Sequence, residues 1–147
     1  MKDVLASLSL MKTTYKAASE GWSKRLAVGL IWDVFRAHHY IVHQRYKVDN
    51  VWKGRAAYID VLAVKRGENR VAVHYPSKSH LKFKHLYAVE KVDPDVVVLV
   101  FEKLKFNHNV GALSWVRTHF VAKQIFLVDL NEQVAYEDTT KGWIQVD

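Results

Sequence analysis

The chain has 147 residues, half of them apolar, with 22 Lys and Arg against 15 Asp and Glu and a formal net charge of +7. That length suits one domain enclosing its own core, and the absence of cysteine excludes both a disulfide framework and a thiolate zinc site. Excess positive charge suits a polyanionic partner, because Lys and Arg neutralise phosphates and release their counterions, although an ordinary basic globular protein has the same balance.

In chain order, VLASLSLM at residues 4–11 is apolar but too short for a secretory signal or a bilayer span, so a soluble, cytoplasmic protein is expected. Residues 16–38 place Trp22, Leu26, Leu30, Val34 and Phe35 at helical spacing, with Ser19 as an N-cap and Glu20 as a first-turn anion. HYIVHQRYKV alternates as a strand, VDNVWKG turns the chain, and RAAYIDVLAVKR is a second, mostly apolar strand of central type. GEN connects it to RVAVHYP, a third antiparallel strand that Pro76 stops.

Residues 77–92 then carry Leu81, His85, Leu86, Val89 and Val92 on one helical stripe, with Lys78, Lys82, Lys84 and Lys91 around it. DPD ends this basic amphipathic helix, and VVVLVFEK follows as a strand buried on both faces, parallel to the third through a crossover. ALSWVRTHFVAK is expected to be a helix, QIFLVDL a strand, and QVAYED and GWIQVD short strands or extended segments. The order predicts an α/β or α+β domain with a mixed sheet over residues 1–147.

Asp60 stands between Ile59 and Val61, which puts its side chain on the face opposite theirs, and an acid in so apolar a run needs a partner or an ion. His74 ends the neighbouring strand, in register with it. Plainer roles stand beside these: Arg55 or a backbone donor pairing Asp60, a satisfied strand-end His74, Glu20 at a helix dipole, and lysines on a solvated helix face. Trp52, in a loop beside Lys53 and Arg55, can stack on a nucleic acid or pack under its own loop. No HExxH, phosphate-cradling glycine loop or G-x-S-x-G elbow is present.

In the order of these elements, residues 16–102 resemble the PD-(D/E)XK, or restriction-endonuclease-like, nuclease superfamily, above all its small Holliday-junction resolvases. Glu20 in SEGW matches the helical glutamate, Asp60 in RAAYIDVLAV the strand aspartate, and RVAVHYPSK the strand that ends in Glu-x-Lys. His74 replaces that glutamate and Pro76 that lysine, so Lys78, Lys82 or Lys84 on the following segment would take the lysine's place. The resemblance implies a three-strand meander, helix and parallel strand flanked by helices. It also implies a metal-dependent DNA endonuclease acting on branched or double-stranded DNA as a homodimer.

In that reading Asp60, Glu20, His74 and the Tyr75 carbonyl hold magnesium or manganese, and Lys78 or Lys82 orients the attacking water. Trp52, Lys53, Arg55 and Lys84 bind the nucleic acid. An imidazole at position 74 suits manganese better than magnesium. The alternatives are a catalytically degenerate nucleic-acid-binding module of the same fold and a metal-independent RNase resembling the tRNA-splicing endonucleases.

Overall fold

The computed structural model describes residues 1–15 and 21–146. Four helices and seven strands alternate along it: α1 (Lys2–Tyr15), α2 (Lys24–Ala37), β1 (Ile41–Trp52), β2 (Arg55–Val64), β3 (Val71–His74), α3 (Phe83–Val92), β4 (Val96–Phe101), α4 (Val110–His119), β5 (Gln124–Asp129), β6 (Val134–Thr139) and β7 (Gly142–Gln145). The strands form one mixed sheet in the spatial order β1 to β7. β1, β2 and β3 are antiparallel, β4 and β5 run parallel to β3, and β6 and β7 return antiparallel. The chain is therefore an α/β protein.

Two apolar layers sandwich the sheet. One joins Val4, Leu5 and Leu8 of α1 and Ile31 and Phe35 of α2 to Val73, Val98 and Val128. The other joins Leu86 and Val89 of α3 and Leu113 and Val116 of α4 to Ala72, Leu99 and Leu127. β4 lies between both layers and is buried at all six positions, which explains why VVVLVF is continuously apolar rather than alternating.

Several boundaries differ from the sequence expectation. α2 begins at Lys24, where the Ser23 hydroxyl accepts from the Leu26 N–H at 3.1 Å; Ser19 and Glu20 lie outside the described residues. Its buried stripe is Ala27, Val28, Ile31 and Phe35, one position round from the expected one. α1 buries Val4, Leu5, Leu8 and Met11, a helical spacing within the stretch considered above only as a targeting signal. The helix expected from Ser77 starts instead at Phe83, because Lys78 and Ser79 have left-handed backbone at φ 55° and 54° and form a separate short turn. Asn109 holds that turn, accepting from Leu81 N–H and donating to the Ser79 carbonyl.

The β1–β2 hairpin closes at Lys53 and Gly54, both with positive φ, the backbone that a two-residue turn of matching twist requires. β3 pairs with β2 only at Val61, Leu62 and Ala63, so the outer half of the hairpin projects beyond β3 as a two-stranded ribbon.

Candidate functional site

Where the ribbon leaves the sheet, the alternation of β2 slips. Ala57 and Ile59 pack into the α3–α4 layer, whereas Val61 and Ala63 pack into the α1–α2 layer. Asp60 sits at the crossing. Its immediate neighbours therefore do not share the one face that strict alternation predicts, and the physical cause is local: opposite Asp60, Arg45 of β1 has a left-handed φ of 49° between the Gln44–Val61 and Tyr46–Ile59 pairs.

This placement lets one carboxylate meet groups from both sides of the sheet. Oδ2 accepts from the His74 ring Nδ1 at 2.7 Å and from the Tyr75 backbone N–H at 2.7 Å. Oδ1 faces the Lys24 ammonium of α2 at 3.3 Å. Burial alone would raise the Asp60 pKa, but the His74 hydrogen bond and charge, the Tyr75 N–H and Lys24 outweigh it and hold the carboxyl below its ordinary value.

His74 is 1% exposed and stacks on His85 of α3, ring centroids 4.7 Å apart. Desolvation, followed by the charges of His74 and Lys24, pushes the His85 pKa down to about 4, against smaller opposing influences of Asp60 and the Tyr58 backbone. His74 Nε2 and His85 Nδ1 are buried with no hydrogen-bond partner among the described residues. On the other side of β3, the Tyr75 hydroxyl accepts from Trp22 Nε1 at 2.8 Å, and burial raises the pKa of that phenol.

The expected residues thus separate into groups. Asp60, His74 and Tyr75 meet, with Tyr75 contributing its N–H rather than a carbonyl to the carboxylate. Lys78 lies in the turn after β3 and Lys82 caps α3, whereas the lysine at Asp60 is Lys24. Trp52, Lys53 and Arg55 occupy the hairpin tip, and Lys84 is exposed on α3. Lys24 and His85 went unread as site residues: Lys24 looked like a polar-face lysine, and His85 shared its stripe with Leu86 and Val89.

No protein-family model, curated protein or solved structure matches the chain.

A hard divalent cation needs several oxygen ligands. Asp60 offers one carboxylate, already shared by a lysine, an imidazole and a backbone amide. Among the described residues no three His, Asp or Glu side chains gather closely enough to hold a metal ion. Among the described residues, which leave out Glu20, these donors fall short of the several oxygens that magnesium takes. Nor is any helix among the described residues long and apolar enough to cross a membrane.

Proposed function

We propose that the chain is a nucleic-acid-binding domain of restriction-endonuclease-like architecture, in which Lys24 and His74 take the place of a catalytic cation beside Asp60. The observation that carries this reading is the network at Asp60: Lys24 Nζ at 3.3 Å sets a positive charge against the carboxylate and His74 Nδ1 at 2.7 Å hydrogen-bonds it. A buried acid so compensated is stable without an ion. The order α2, β1, β2, β3, α3, β4, with β3 and β4 parallel, supports the architecture.

Binding in this reading works through surface rather than chemistry. The ribbon carries Arg45, Lys47, Lys53 and Arg55 against a single acid, Asp49, and Lys82 and Lys84 stand at the start of α3. Such a cluster attracts phosphates through counterion release, and double-stranded or branched DNA is the ligand we assign to it.

A second reading, a metal-dependent DNA endonuclease, is favoured by one observation: Asp60 and His74, the two residues that the resemblance matches to a strand aspartate and the Glu-x-Lys glutamate, touch, and His74 Nε2 is left without a partner among the described residues. One experiment separates the two. Labelled duplex, single-stranded and four-way-junction DNA are incubated with the protein in magnesium, manganese or EDTA, beside Asp60→Asn with its fold checked by circular dichroism. Salt-sensitive binding that EDTA does not alter, without cleavage, is the expected result. Metal-dependent cleavage lost in Asp60→Asn establishes the endonuclease instead, and absence of any binding overturns both.

A further inference from the structure

We infer that the tip of the ribbon, α3 and α4 together build an aromatic shelf that stacks unpaired nucleobases, a surface distinct from the Asp60 network; this deepens the nucleic-acid reading above and rests on it. Trp52 of the hairpin tip stacks on Tyr87 of α3, centroids 5.5 Å apart and planes 25° from parallel. Tyr87 in turn lies 6.0 Å from Phe83 and 5.4 Å from Trp115 of α4. Trp115 continues the row by stacking on His119 at 4.2 Å.

Core packing accounts for only part of this row. Tyr87 and Trp115 are partly buried, but Trp52 is 49% and Phe83 40% exposed, a large apolar area that folding leaves in water. The arrangement is also held in place before any ligand arrives. Lys91 of α3 donates to the backbone carbonyls of Asp49 and Asn50, fastening the hairpin to the helix so that Trp52 is fixed over Tyr87.

The charge beside the rings selects the occupant. Lys53 lies 5.7 Å from the Trp52 ring centre, Arg55 opens β2 just after the turn, and Lys82 and Lys84 flank Phe83 in sequence, with no acid in residues 52–55 or 82–87. Exposed aromatic planes bordered by cations match a chain of flat bases on a phosphate backbone, and stacking accepts any base because every base has a π-face. A base-paired duplex hides those faces. The ligand class is therefore single-stranded or flayed nucleic acid, including the opened arms of a junction.

The shelf was not legible in the sequence because Trp52, Phe83 with Tyr87, and Trp115 with His119 come from three separated segments that meet only where the hairpin tip and α4 pack against α3.

The test uses the full chain, a single-stranded oligonucleotide carrying 2-aminopurine, a blunt duplex of the same length and poly-glutamate as competitor. The expected result is altered 2-aminopurine emission on binding of the wild type. Trp52→Ala with Phe83→Ala should lose about tenfold in affinity for the single strand and less than twofold for the duplex, with unchanged circular dichroism. Equal losses on both DNAs, no loss on either, unaltered 2-aminopurine emission on binding, or poly-glutamate displacing the strand as well as unlabelled DNA does would overturn the shelf while leaving nucleic-acid binding in place. Failure of the wild type to bind either DNA would overturn the shelf together with the reading beneath it.

Discussion

The carboxylate of Asp60 and the ring of His74, fourteen residues apart in sequence, meet at 2.7 Å with neither side chain more than 10% exposed. A pair this enclosed is held by its other contacts: without Lys24 and the Tyr75 amide, the charge on Asp60 would not be compensated. Asp60→Ala leaves an ammonium, an imidazole and a buried N–H without their acceptor. The expected loss is about 3–5 kcal/mol in urea denaturation, with an unchanged denaturant slope. A shift of the midpoint equivalent to less than about 1 kcal/mol would show that the network contributes little.

Stability should fall in mild acid. His85 has a folded-state pKa of about 4 against 6.5 when free, so the unfolded chain takes up a proton first and stability declines as pH drops from about 6.5 to about 4. Asp60, His74 and Lys24 face the ring; the Asp60 pKa is also lowered, which adds a loss of the same sign at still lower pH. Because His85 is only partly buried, the acid loss assigned to it is about 1–2 kcal/mol. Thermal melts across this range, compared with His85→Gln, check it; the variant should show a flatter profile between pH 6.5 and 4.

His74→Glu converts the neutralised pair into two adjoining carboxylates with Lys24 as the cation beside them. In EDTA this variant should melt below the wild type. Manganese or magnesium at 100-fold over its dissociation constant should restore about 2.7 kcal/mol, a gain the wild type does not show. Appearance of DNA cleavage in the same variant would mean that the rest of a catalytic site is intact.

Trp22→Phe keeps the ring against the core but removes the donor to the Tyr75 hydroxyl at 2.8 Å. The phenol is left partly buried with its acceptor capacity unused, for an expected cost of about 1–2 kcal/mol. Denaturation of Trp22→Phe beside Tyr75→Phe and the double variant gives the coupling energy directly, and a value near zero would remove this bond from the account.

Salt tests the ribbon. Each of Lys53→Ala and Arg55→Ala should weaken duplex binding about equally across sequences and lower the slope of log K against log salt by about one. An unchanged slope in both would place the phosphate path elsewhere.

Much of the fold was legible because strand periodicity and the GEN, KG and DPD breaks fix local choices. The meander and the crossover into a parallel β4 follow from pattern, whereas pattern leaves the C-terminal segments open between short strands and extended chain, and the pairing of β6 with β7 decides between them. α3 was placed six residues early because Leu81 continues its apolar period while Lys78 and Ser79 adopt a backbone that period cannot reveal. The site was legible only in its in-sheet half. Asp60 and His74 lie on adjoining strands, whereas Lys24 and His85 reach them from helices in opposite layers, a meeting that depends on the slip of β2 at Asp60 and on tertiary packing.

The spatial order of the strands repeats their order in the chain, from β1 at one edge to β7 at the other. Each strand's neighbours in the sheet are thus also its neighbours in the chain, and no pair has to open to admit a later strand between its members. The β1–β2 pairing and the Asp60 network draw on no residue beyond His85, so neither takes a partner from the far edge of the sheet.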